Sequence, residues 1–354
     1  MRHSEYKILE IILIIIKKSD KMTTMHQLID HFPNQLRRAL EIGQKAKIGK
    51  PKMPVRNILI TGLGGSGIGG TIISNILRDD LQVPVVINKE YKIPAFVNEN
   101  TLVIVSSYSG NTEETMSAMM QAFKKGAQIA CITSGGLVKE YAETNNFDYV
   151  LIDGGFPPRA AFGQSFVQIF FILHYLGLLE NKFVSYIESA IALIEEEKDE
   201  IKKSAYDIAV KLDGKIPVIY SDAKYEGVAV RFRQQINENS KMLCWHHVIP
   251  EMNHNELVGW RDKNDNIVVV FLKNAQDYER NQERMAFVKS VVSQYASDTI
   301  EIESKGKKDI ERVLYLIHLT DWISCYLADL KGIDAIEVDI ISQLKNKLAE
   351  HPII

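Results

Sequence analysis

The chain has 354 residues, enough at about 150 residues per domain for two domains with substantial cores. Apolar residues make up 46% and charged residues 25%, which excludes a disordered chain, a collagen and a coiled-coil rod. A formal charge of −3, from 42 Lys and Arg against 45 Asp and Glu, leaves no positive excess for holding nucleic-acid phosphates.

At the N-terminus, residues 8–16 read ILEIILIII, the most hydrophobic stretch of the chain. A membrane-spanning helix needs about 20 mostly apolar residues, and this run carries Glu10 and stops at Lys17-Lys18. A secretory signal would need a small-residue cleavage site, where KKSDK follows instead. Residues 1–24 are therefore expected to be an extension outside the working protein. Either an appended strand or helix or a start codon placed too early accounts for it; Met22 and Met25 each precede the amphipathic HQLIDHFPNQLRRALEIG.

After a turn-rich linker (48–54), NILITG (57–62) reads as a short strand ending in glycines, and IGGTIISNILRD (68–79) as a helix. VPVVIN (83–88) is a strand, and residues 101–126 give a strand, a polar loop and a helix. AQIACITSGG (127–136) and FDYVLIDGG (147–155) add two strands around a helical KEYAETNN, and SFVQIFFILHYLGLL (165–179) is a largely buried helix. The charged run IEEEKDEIKK (194–203) reads as one solvated helix before the theme repeats. In the second half KIPVIYSD (215–222), CWHHVIP, NIVVVFLKN (266–274) and TIEIES (299–304) are strands; 225–241, 283–296 and 309–332 are helices. Apolar runs alternating with amphipathic helices predict an α/β fold: two domains, 25–184 and 185–354, each a parallel sheet flanked by helices on both faces. The three cysteines (Cys131, Cys244, Cys325) are odd in number, far apart and lack metal-ligand spacing, which fits a reducing, cytoplasmic setting.

Two loops carry chemistry. Gly62-Leu63-Gly64-Gly65-Ser66-Gly67 fits G-x-G-x-x-G between a strand and a helix, where free amides can approach an anion. A dinucleotide site also wants an acidic residue ending the second strand, which here ends Asn88-Lys89. The second loop, Ser106–Glu114, places hydroxyls and unpaired amides at the start of the next helix. Each loop alone reads equally as a tight turn or an N-cap. Two such loops on one parallel sheet favour a small phosphorylated ligand at its carboxyl edge.

GLGGSGIGG (62–70), SYSGNTEE (107–114) and PRAAFG (158–163) together make the chain resemble the bifunctional phosphoglucose/phosphomannose isomerases of the sugar isomerase (SIS) domain superfamily. INENSK (236–241), PEMNHNELVG (250–259) and LKNKL (344–348) continue the resemblance in the family's order, to the end of the chain. It implies two SIS domains, a homodimer with sites near the interface, a sugar phosphate substrate and no cofactor or metal. The implied reaction interconverts glucose 6-phosphate and fructose 6-phosphate, and also mannose 6-phosphate, through an enediolate. Such chemistry asks for a phosphate cradle, a carboxylate base, a proton shuttle at the ring oxygen and a cation at the developing charge.

By resemblance, Ser66, Ser107, Ser109 and Thr112 bind the phosphate, and Gly65 allows close approach. Arg159 sits by C1 and C2, Glu238 is the base, and His254, reaching across from the neighbouring chain, opens the ring. Lys345 assists at the sugar oxygens, with Lys347 competing for that position. Val338 stands where dual-specificity members carry threonine; it keeps the volume but loses the hydroxyl donor. Read without the resemblance, Glu238 near a helix end and Lys345 on QLKNKLAE are ordinary solvated charges, and Arg159 an ordinary ion-pair arginine. His174 and His318, inside apolar runs, read as core histidines. The rival readings are an amino-sugar phosphate isomerase, a non-catalytic sugar-phosphate-binding protein, and an oxidoreductase suggested by the glycine loop alone.

Overall fold

The structure, a computed structural model, describes residues 24–351, so the apolar run at 8–16 lies outside the described residues. Helix α1 (Met25–Asp30) opens with a capping box: the Thr24 hydroxyl accepts from the Gln27 amide, and the Gln27 side chain accepts from the Thr24 amide. Helix α2 (Phe32–Lys45) follows with proline in its first turn. The first sheet is then laid down as β1 (Asn57–Thr61), α3 (Gly64–Ile76), β2 (Val85–Asn88), β3 (Thr101–Ser106), α4 (Glu113–Lys124), β4 (Gln128–Thr133), α5 (Gly136–Asn145) and β5 (Asp148–Leu151). Its strands are all parallel, in the order β2-β1-β3-β4-β5. Every residue of β3 is buried because helices cover both faces of the sheet. Helix α6 (Phe162–Tyr175) packs against α2 so closely that a methyl group on Gly43 would overlap the Phe171 ring.

The second sheet begins after α7 (Phe183–Glu196) and α8 (Lys198–Leu212). The single charged helix expected over 194–203 is in fact the junction of these two. The chain turns at Glu197, whose carboxylate takes a 2.6 Å bond from Lys305, and both helices pack against the helix at 309–330. Then come β6 (Ile216–Asp222), α9 (Glu226–Ser240), β7 (Trp245–Ile249), β8 (Asn264–Lys273), α10 (Glu279–Val292), β9 (Ala296–Glu303), α11 (Asp309–Leu330) and α12 (Asp339–Ala349). The four strands are parallel, in the order β7-β6-β8-β9.

One apolar cluster runs through both halves, joining Ile72 and Phe166 of the first to Phe232 and Ile323 of the second. At its centre α3 meets α9: a methyl group on Gly227 would lie 2.8 Å from the Ile72 Cα, and Asn75 accepts the Gly227 amide at 3.0 Å. From Ile310 to Ala328 every α11 residue except Tyr326 is buried, and its polar members Asp321, Ser324 and His318 are each hydrogen-bonded. By contrast α12 buries no residue, and Ile340 and Leu344 are 81% and 59% exposed. Among the described residues no helix is long and apolar enough to cross a membrane.

Candidate active site

The chain order β2-β1-β3 sends the connection after β1 to one side and that after β3 to the other, so a crevice opens beyond their carboxyl ends. The glycine loop makes the turn into α3. Gly64 has φ +53°, and a methyl group on Gly67 would lie 2.2 Å from the Gly62 carbonyl, so only glycine closes this turn. Ser66 staples the two loops: its hydroxyl accepts the Tyr108 amide at 2.9 Å, and its carbonyl accepts the Ser106 hydroxyl at 3.0 Å. In the second loop the Ser107 hydroxyl donates to Thr112 Oγ1 at 3.2 Å, and Ser109 Oγ accepts the Asn111 amide at 3.3 Å.

Ser66 and Ser107 are buried, Thr112 is half-buried and Ser109 is exposed. Neither Leu63 before α3 nor Thr112 before α4 caps its helix with a side chain. Two helix starts, each with unpaired amides and the positive end of a helix dipole, thus meet at neighbouring strand ends. That arrangement suits a phosphate dianion without a lysine.

The turn Pro158–Ala161 after β5 brings Arg159 against this cradle. A methyl group on Gly65 would lie 2.8 Å from the Pro158 carbonyl oxygen and 2.9 Å from the Arg159 Cα, so the missing side chain is what permits the approach. Arg159 is 4% exposed. Its Nε donates to Asn239 Oδ1 at 2.7 Å, and its Nη2 donates to the carbonyls of Ala335 (2.6 Å) and Ile336 (3.1 Å). The remaining nitrogen, Nη1, lies 3.4 Å from Glu238 Oε2. Burial lowers the proton affinity of this guanidinium; Glu238 offsets part of that effect and Arg231 adds to it.

Glu238 comes from the last turn of α9, with its side chain 26% exposed. Behind the pair, buried Arg231 bonds Asp321 at 2.6 Å and the Arg159 carbonyl at 3.2 Å, and Gln235 donates to the second Asp321 oxygen at 3.0 Å. Asn239 is held in turn by donating to Ser324 Oγ at 2.9 Å.

The other sequence candidates stand apart from this cluster. His254 lies in a short 3₁₀ turn after β7, exposed and without a side-chain hydrogen bond or ion pair among the described residues. Val338 is half-buried at the start of α12, two residues beyond the Ile336 carbonyl that Arg159 holds. Lys345 and Lys347 are both exposed on α12, Lys347 pairing with Glu350 at 2.6 Å, and neither side chain joins Arg159 and Glu238. His318 is indeed a core histidine: Trp322 Nε1 donates to its Nε2 at 3.2 Å and Phe32 stacks on it. His174 is bonded through Nδ1 to the Leu179 carbonyl at 2.9 Å.

Sequence reasoning missed Arg231, Gln235, Asn239 and Lys241. The first three recur every four residues on α9 and so share one face, a spacing that is legible in RFRQQINEN. Among the described residues no three His, Cys, Asp or Glu side chains are grouped to hold a metal ion.

Comparison with known proteins places these features in a family. Residues 54–149 match the SIS domain, and residues 201–348 match the bacterial phospho-glucose isomerase C-terminal SIS domain. The C-terminal domain of glucosamine-fructose-6-phosphate aminotransferase from Francisella tularensis shares the fold, with a TM-score of 0.70 at 15% identity over 90% of this chain and 99% of that one. The bifunctional phosphoglucose/phosphomannose isomerase of Aquifex aeolicus is 32% identical over 93% of this chain and all of its own length. That of Caldicellulosiruptor bescii is 39% identical over 92% of this chain and 99% of its own. With two relatives matched end to end at such identity, the chain belongs to the bifunctional phosphoglucose/phosphomannose isomerase family.

Proposed function

We propose that the protein is an aldose–ketose isomerase that interconverts glucose 6-phosphate and fructose 6-phosphate and also accepts mannose 6-phosphate. The observation that carries this reading is the 3.4 Å pair between Glu238 and Arg159, whose turn is packed against the Gly65 cradle. A phosphate held by Ser66, Ser107, Ser109, Thr112 and the starts of α3 and α4 would anchor C6, leaving C1 and C2 to reach the pair. The Glu238 carboxylate takes the C2 proton of the open-chain aldose; the C2–H electrons form the C1–C2 double bond as the C1 carbonyl π electrons move onto O1. Arg159 Nη1 stabilises the negative charge on the enediolate oxygens. The O2 proton passes to O1, and Glu238 delivers its proton to C1 as the O2 electrons form the C2 carbonyl of the ketose, so no electron leaves the substrate.

We assign ring opening to His254, supplied across a homodimer. Its exposure and its lack of a side-chain hydrogen bond or ion pair among the described residues support that assignment. Lys345 enters this reading through α12, whose place depends on the segment leading into it. Val338 keeps space for either C2 epimer but offers no hydroxyl, so glucose activity is expected to exceed mannose activity. Three free thiols support a reducing, cytoplasmic setting.

The test is a coupled assay of fructose 6-phosphate formation from each aldose phosphate, with Glu238→Gln as the variant. Wild type should turn over both substrates, whereas the folded variant should lose turnover and exchange of the C2 proton with solvent. Near-normal turnover by the variant removes Glu238 from its role, and an inactive but sugar-phosphate-binding wild type makes the protein a binder.

A further inference from the structure

We propose that Lys241 is a positioning residue: its ammonium fastens the strap Asp334–Glu337, and with it Val338 and α12, beside the Arg159–Glu238 pair. Lys241 Nζ donates to three carbonyls, those of Glu238 (2.9 Å), Asp334 (2.7 Å) and Glu337 (2.8 Å). An ammonium has three N–H donors and no acceptor, so this set saturates it. Arg159 takes the two carbonyls between, those of Ala335 and Ile336. Four consecutive carbonyls of the strap are thus held by two cations that both touch Glu238, Arg159 at the carboxylate and Lys241 at the backbone. The strap also closes on itself, the Ile336 amide donating to Asp334 Oδ1 at 2.8 Å.

Two further observations separate this role from that of a helix end. Lys241 terminates α9 with φ +51° and ψ +43°, the left-handed conformation in which glycine is favoured and a side chain is strained. Glycine would serve the turn better, so what lysine adds there is its amine. Helix α12 buries no residue, so among the described residues no packed face fixes it and the strap is its mooring. The side chain is 31% exposed; burial lowers its proton affinity, the Glu337 carboxylate 3.8 Å away opposes that, and Arg159 reinforces it.

The proposal rests on the isomerase reading for its kinetic consequence but not for its structural one. The experiment compares full-length wild type with Lys241→Gly and Lys241→Arg. It reads kcat and KM for glucose 6-phosphate and mannose 6-phosphate, Tm, and amide exchange over residues 334–349. Lys241→Gly relieves the backbone, so a lysine acting only as a helix end would leave Tm and kinetics at or above wild type. We expect instead faster exchange over 334–349 and a fall of about 10- to 100-fold in kcat/KM. The ratio of the two substrates should also change because Val338 is displaced, and Lys241→Arg, which keeps charge and donors, should recover part of the loss. Wild-type exchange and an unchanged substrate ratio in Lys241→Gly overturn the proposal. If that variant does not fold, Lys241→Gln provides the same readouts. Failure of the isomerase reading would show as an inactive wild type, with the exchange measurement still deciding the strap.

Discussion

Gly65 and Arg159 are in backbone contact: a methyl group on the glycine would lie 2.9 Å from both the Cα and the amide nitrogen of the arginine. The phosphate cradle and the cation of the proposed reaction are therefore set by one close approach between two loops almost a hundred residues apart.

Gly65→Ala should push the Pro158–Ala161 turn away from the cradle. Displacing reacting groups by about 1 Å can cost 100-fold in rate, and overpacking costs about 1–3 kcal/mol in stability. The variant is expected to fold with a lowered Tm and to lose kcat by about that factor. Gly69→Ala is the control. It lies on the same helix, and its added methyl would meet Ile169 and Phe166 at 3.6 Å, an ordinary contact, so activity should be retained.

Arg159→Lys is not a conservative change. The guanidinium serves Asn239, two strap carbonyls and Glu238 in four directions, which one ammonium cannot span. Steady-state kinetics should show kcat/KM lowered by about 100- to 1000-fold, mostly in kcat. A mainly KM effect would instead make Arg159 a substrate anchor.

Asp277 gives a pH dependence of stability. Burial, and next to it the charge of Asp222, push its pKa from 3.8 up to about 7, while the Asn274 amide, donating to Asp277 Oδ2 at 3.2 Å, opposes the shift. A carboxyl whose folded pKa is raised is protonated when folded and ionised when unfolded between those values. Its contribution is complete below about pH 4 and is lost as pH rises through 7. Asp277→Asn, which mimics the neutral acid, should therefore raise Tm at pH 8 and change it little at pH 4. His318 acts oppositely: burial holds its pKa near 3, so its contribution is lost as pH falls below 6.5. Urea unfolding of Asp277→Asn and His318→Gln across pH 4–8 separates the two slopes.

Much of the fold was legible in the sequence because local signals carry it. TLVIVS is apolar without alternation, and β3 is buried on both faces. The two polar loops were visible as interruptions between such strands and their helices. The break at Glu197 was not visible, since its partner Lys305 is 108 residues away. The same distance in sequence hid the inner shell of the candidate site. Lys241 reaches carbonyls 93 and 96 residues on, and Arg159 reaches carbonyls 176 and 177 residues on. Backbone acceptors have no residue identity, so no motif marks them. Lys345 and Lys347 could not be told apart for a related reason: both sit on an amphipathic helix none of whose apolar residues is buried within the described chain.

The absence of side-chain caps on α3 and α4 has a consequence for how this site tolerates change. Donors that belong to the main chain cannot be deleted one at a time by substitution, so in the proposed reading the capacity to hold a dianion is spread over the local backbone. Such a site resists loss of any single hydroxyl and fails abruptly where a glycine that shapes the backbone is replaced. On the proposed reading, divergence within this architecture is freer at the sugar end, around positions such as 338, than at the phosphate end. Substrate choice can drift while the anchor stays fixed.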